Sequence, residues 1–133
     1  MNHIEINVFD LATCRQFYQP IFEKLGWKLY QEWTRGFSYQ KDSWYLVFVQ
    51  VESAYQQNSY HRKQVGINHI ALQAPSKSIF WQLVEDLRQQ PVTELYSERF
   101  PFASGDEQLA FFVEDPNRIK LELLCPKSEK SKK

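Results

Sequence analysis

The chain has 133 residues, 43% of them apolar and 16% aromatic, and its sixteen basic and sixteen acidic side chains cancel. That length supports one domain with a filled core. A neutral chain has no field to gather nucleic acid or anionic lipid. No run approaches the roughly eighteen apolar residues of a membrane span, and no secretory leader opens the sequence. A cytoplasmic protein acting on a small molecule, with no nucleic-acid or membrane partner, is the expectation. Cys14 and Cys125 lack metal-type spacing and read as free thiols of a reducing compartment.

In chain order, residues 2–8 alternate, with His3, Glu5 and Asn7 on one face and Ile4, Ile6 and Val8 on the other, which predicts a half-buried strand. Asp10 is placed to cap a helix over 11–25, whose apolar positions are Leu11, Cys14, Phe17, Tyr18, Ile21, Phe22 and Leu25 and which Gly26 ends. Pro20 falls inside it and predicts a kink or a break. Strands are expected near 27–33, 36–40 and 44–51, the last (WYLVFVQV) rich in aromatic and β-branched residues. The polar stretch 52–66 has no sustained period and reads as a connection.

The pattern then restarts. INHIALQA is a strand with Ile70, Leu72 and Ala74 opposite His69, Ala71 and Gln73. Ser76 is placed to cap a helix over 77–89, with Ile79, Phe80, Leu83, Val84 and Leu87 on its apolar face. Strands are expected near 92–97, 108–114 and 118–125, with PFASGDEQ a loop and DPNR a turn between them. The closing residues 127–133 read as a disordered charged tail. Each half is therefore βαβββ, and the tripeptide Asn-His-Ile opens both, at His3 and at His69. A four-stranded sheet with one helix leaves its second face uncovered, and two such faces can form a cup. If the aliphatic faces go under the helices, His3 and His69 point into that cup by the period-two rule.

NHIEINV, FYQPIFEKLGWKL, YHRKQVGINHIAL and EDPNRIKLELLCP together resemble the vicinal-oxygen-chelate superfamily, over about residues 2–126. That superfamily includes glyoxalase I, fosfomycin-modifying thiol transferases, extradiol dioxygenases and bleomycin-resistance proteins. YHRKQVGINHIAL and PFASG are similar to a small bacterial glyoxalase-like subfamily. The resemblance implies an α+β fold of two βαβββ modules, about 1–51 and 67–126, in one domain with a cupped eight-stranded mixed sheet. It does not choose between lyase, isomerase and transferase chemistry.

Family metal ligands sit on the first and last strand of each module. By resemblance, His3 and His69 match the first-strand ligands and Glu122 the last-strand carboxylate of module two. The matching position in module one is Val47 or Phe48, neither able to bind a metal, with Gln50 the nearest oxygen-bearing side chain. Two imidazoles and a carboxylate suit Zn, Fe(II), Mn or Ni, and such an ion acts as a Lewis acid on neighbouring substrate oxygens. Glu122 also shares a strand face with Arg118 and Lys120, the pattern of a solvated or salt-bridged row. Glu5, on the His3 face, is a candidate for hydrogen-bonding a ligand residue or acting as general base. Tyr45, Tyr39, Trp44 and Phe111 are candidates for lining the cup, although strand aromatics are more often core. His61, Arg62 and Lys63 are candidates for closing its mouth and contacting an anion, and Ser104-Gly105 for shaping a substrate loop. Two functions compete: a metal-dependent glyoxalase-like enzyme, and a metal-free binding protein of the bleomycin-resistance type. Neutrality and three ligand-type residues favour the enzyme, and large concave sheets favour a homodimer.

Overall fold

The computed structural model describes residues 2–127. The expected disordered tail, 127–133, lies outside the described residues except for Lys127. The chain divides into two compact units, one up to Tyr60 and one from His61 on. The division falls inside the polar stretch 52–66, which carries a short 3-10 turn at Ser53–Tyr55.

Unit 1 runs β1 (His3–Val8), α1 (Leu11–Leu25), β2 (Lys28–Trp33), β3 (Gly36–Lys41) and β4 (Trp44–Gln50). Its mixed sheet has the order β1-β4-β3-β2, with β1 parallel to β4 and the other pairs antiparallel. The ends of α1 follow from capping chemistry. The Asp10 carboxylate accepts from the Thr13 amide at 2.9 Å, and Gly26 takes the left-handed conformation (φ 89°) that closes the last turn. The helix is continuous through Pro20, without the expected break. Pro20 is on the exposed side, where the carbonyl that loses its partner can turn to water. Tyr18 and Phe22 carry the inward face of α1 onto the sheet, Tyr18 stacking on Phe48 at 4.7 Å and Phe22 on Tyr39 at 4.8 Å. Ile6 and Val8 are buried, while His3, Glu5 and Asn7 are exposed.

Unit 2 repeats the plan with β5 (His69–Gln73), α2 (Lys77–Arg88), β6 (Thr93–Leu95), β7 (Gln108–Glu114) and β8 (Lys120–Pro126) in the order β5-β8-β7-β6. Here β5 is parallel to β8. Ser76 Oγ caps α2 by accepting from the Ile79 amide, and Phe80, Leu83, Val84 and Leu87 are buried beneath it. Leu72 is buried, whereas His69, Ala71 and Gln73 are exposed. Both units therefore have the α+β βαβββ architecture expected from the repeat. Among the described residues no helix is long and apolar enough to cross a membrane.

Candidate functional site

The site is read most directly in unit 2. Strand pairing sets Ala71 opposite Glu122 and His69 opposite Lys120, so His69, Lys120 and Glu122 share the sheet face turned away from α2. Glu122 is buried despite its charge, and both its oxygens are engaged. Oε1 lies 3.0 Å from His69 Nε2, and Ser104 Oγ donates to Oε2. Ser104 comes from the PFASGDEQ loop, so the residue expected to shape a substrate loop instead positions the carboxylate. Burying a carboxylate is costly unless it is hydrogen-bonded or held by a positive charge. The Ser104 hydroxyl supplies a hydrogen bond, and His69 Nε2 supplies a second only when the ring carries both protons.

The repeated tripeptide has a specific local role. His69 Nδ1 is 2.8 Å from Asn68 Oδ1, and His3 Nδ1 is 2.8 Å from Asn2 Oδ1. A carbonyl oxygen only accepts, so Nδ1 is the donor, and in the neutral ring the lone pair is on Nε2. Each asparagine thus orients the ring that follows it, as an outer-shell acceptor orients a ligating histidine. In unit 1 the His3 ring lies flat on Tyr45, at 4.7 Å and 5°. His3 and Tyr45 are paired across β1 and β4 in the register that joins His69 and Lys120 in unit 2.

The same register settles the module-one equivalent of Glu122. Glu5 pairs with Val47 as Ala71 pairs with Glu122, so the equivalent is Val47, buried and apolar, and not Phe48. Gln50 is occupied elsewhere. Its amide donates to the Phe9 carbonyl and accepts from the Leu11 amide, holding the entry to α1. Within neither unit do three His, Cys, Asp or Glu side chains of the described residues gather into a metal-holding group.

The remaining candidates separate by sheet face. Tyr45 lies on the His3 face, with Tyr30 tilted against it at 4.8 Å. Tyr39 and Phe111 do not line the faces that carry the histidines. Tyr39 pairs with Leu46 and stacks under α1, and Phe111 pairs with Leu123, with the Arg88 guanidinium of α2 5.3 Å from its ring. Period two puts them opposite the histidines, so they are core residues. Trp44 likewise packs on Trp27, edge to face, at 5.5 Å. Phe112, one residue from Phe111, is the aromatic on the His69 face, 6.3 Å from that ring. Arg62 donates to Glu114, which also pairs with Arg118 at 3.5 Å. His61 accepts the Lys63 amide at Nδ1, and burial followed by the Arg118 and Arg62 charges holds its pKa below the ordinary value. Arg118 is not in the Glu122 row, because it stands before β8 in a left-handed conformation (φ 68°).

The model of the Glyoxalase/Bleomycin resistance protein/Dioxygenase superfamily matches residues 1–123. The chain belongs to this superfamily. A Bacillus subtilis relative, the uncharacterised protein YqjT, is 45% identical over 126 residues, covering 95% of this chain and 98% of its own. The crystal structure of a "putative glyoxalase" from Bacillus halodurans is 42% identical, with 95% of each chain covered and a TM-score of 0.89. A glyoxylase/bleomycin resistance protein/dioxygenase domain from Frankia sp. EAN1pec shares the fold at 16% identity and a TM-score of 0.68, over 97% of this chain and 93% of that one. For a glyoxalase-superfamily chain, the nitrogen and oxygen donors of His69 and Glu122 fit a divalent transition metal.

Proposed function

We propose that the chain is a glyoxalase-like, metal-dependent enzyme acting on a small oxygen-rich molecule. The observation that carries this reading is the His69–Glu122 pair, 3.0 Å apart, with the imidazole steadied by Asn68 and the carboxylate by Ser104. His69 and Glu122 are the ligands offered by unit 2, and His3, oriented by Asn2, is the ligand proposed from unit 1. A divalent metal held there supplies Lewis-acid polarisation of two neighbouring substrate oxygens. Asn68 and Ser104 keep the donor atoms in place, so loading requires little rearrangement of the side chains. Glu5, exposed on the His3 face, is the proposed acceptor of a substrate proton.

The test is the metal content of chain purified without chelator. Near-stoichiometric metal in the wild type, lost in both His69→Ala and Glu122→Ala with the circular dichroism spectrum unchanged, is the expected result, and His3→Ala reports on the third ligand. A 3.0 Å separation is also that of a direct charge-assisted hydrogen bond, which favours one alternative: a metal-free binding protein of the bleomycin-resistance type. Negligible metal in the wild type, or metal that survives both substitutions, selects that alternative.

We also propose a homodimer. Strand β2 is a sheet edge exposed along its whole length, and it carries Leu29, Tyr30 and Trp33 among the exposed large apolar side chains. Such an edge invites pairing with a second chain. Sedimentation equilibrium at micromolar concentration should give twice the chain mass, and a pure monomer rejects the dimer.

A further inference from the structure

We propose that Lys120 and Tyr96 form an oxyanion-binding subsite beside the His69–Glu122 pair, taking a carboxylate or phosphate at one end of the substrate. This deepens the functional reading above and rests on it for what the other end of the substrate does.

Lys120 is the cross-strand partner of His69 on one side and of Glu114 on the other, and shares a sheet face with Glu122. Its ammonium donates to the Tyr96 hydroxyl at 3.0 Å and lies 5.1 Å and 5.6 Å from the rings of Tyr96 and Phe112. Those rings hold the chain of Lys120 in place on a partly buried surface. The neighbouring cations are compensated: Arg62 and Arg118 by Glu114, and Arg88 by Glu94. Lys120 is different: its cross-strand neighbour Glu114 is turned to Arg62 and Arg118, and among the described residues no carboxylate lies within 4.0 Å of the Lys120 ammonium. Two ammonium hydrogens and the Tyr96 O–H therefore remain for an incoming group. A set made only of donors, one of them charged, suits an oxyanion and nothing cationic.

Two further observations point the same way. Tyr96 adopts a left-handed backbone (φ 58°, ψ 34°), a conformation uncommon for a non-glycine residue and concentrated at functional positions. The hydrogen bond from Lys120 holds its phenol below the ordinary 10.0, and the charges of Lys120, Arg62 and Arg99 add to this against the opposing effect of burial. The surroundings of the hydroxyl thus already favour negative charge. In unit 1 the corresponding residue is Tyr45, so the cation is particular to unit 2 at this register.

The experiment is titration of the full chain, as purified, with inorganic phosphate and separately with acetate, followed by amide resonances of Tyr96 and Phe112. Saturable shifts are expected with at least one anion, and the tighter arm identifies the charged end as phosphate or carboxylate. Lys120→Met should weaken that binding at least about tenfold, Lys120→Arg by no more than about threefold, and Tyr96→Phe about threefold to tenfold. Glu122→Gln, which removes metal under the functional reading, should leave anion binding intact or tighten it. The subsite and the metal site can therefore fail separately. Equal affinity in wild type and Lys120→Met, full affinity in Tyr96→Phe, or no saturation with either anion overturns the proposal.

Discussion

Units 1 and 2 share strand order, register and the oriented Asn–His pair, yet their carboxylates stand on different strands. On the paired first and last strands of unit 2 the carboxylate is Glu122, facing Ala71, while Glu114 on β7 faces Lys120 and is held by Arg62 and Arg118. On the same pair of strands in unit 1 the carboxylate is Glu5 on the first strand, facing Val47. The exchange changes the environment as well as the position. Glu122 is buried and gripped by Ser104 and His69, whereas Glu5 is exposed. One scaffold thus offers two kinds of acid: a buried, held one, proposed above as a metal ligand, and a solvated one, proposed above as a proton acceptor. Duplication has kept the core-facing positions of both copies apolar, while the opposite faces diverge residue by residue: Tyr45 for Lys120, Ser38 for Phe112, Gly36 for Ala110.

The largest expected effect separates the two acids. Glu122→Ala should lower metal affinity by about 100-fold or more, and Glu5→Ala by less than about tenfold, as measured by equilibrium dialysis. Equal losses would erase the distinction. A smaller effect separates Gly36 from Ala110. A Cβ at Gly36 would come within 2.6 Å of the Trp33 ring and 2.8 Å of the Phe48 carbonyl oxygen, so the backbone must shift. Gly36→Ala should cost about 1–3 kcal/mol in urea unfolding, whereas Ala110→Gly should cost only about 0.5–1 kcal/mol.

The smallest effect distinguishes the helix caps. Asp10 can lose its charge, whereas Ser76 cannot. The Thr13 hydroxyl and amide hydrogen bonds hold the Asp10 carboxyl below its ordinary 3.8. A depressed folded-state value means that the cap's contribution is complete above 3.8 and is lost as pH falls through the lower folded-state value. The Thr13 amide resonance should therefore titrate with a midpoint under 3.8, while that of Ile79 stays flat over the same range.

Much of this was legible in the sequence because it is local. Asp10 and Gly26 bound α1 as expected, and α2 stops at Arg88, one residue short of the expected end at 89. Strand parity correctly separated His3 and His69 from the aliphatic faces. The departures are at turns whose geometry depends on distant partners. Strand β8 begins at Lys120 and not at 118, because the Asp115 carboxylate collects the amides of Asn117 and Ile119 and Arg118 turns left-handed. Strand β6 ends at Leu95 because Tyr96 leaves the extended region, and no residue type there announces it. The hold of Ser104 on Glu122 spans eighteen residues through a loop, which no periodicity encodes. The lining roles expected of Tyr39 and Phe111 failed on parity, since each stands one residue off the face that carries the histidines.

The Arg62–Glu114 pair bears on how the chain can be cut. The Arg62 side chain is only 13% exposed, whereas the neighbouring Lys63 is exposed. Trypsin must draw its target side chain out into a deep pocket, so the bond after Lys63 should be nicked first and the one after Arg62 spared. Glu114→Gln would weaken the hold on the guanidinium, and a second tryptic product ending at Arg62 should then appear in the mass spectrum of the digest.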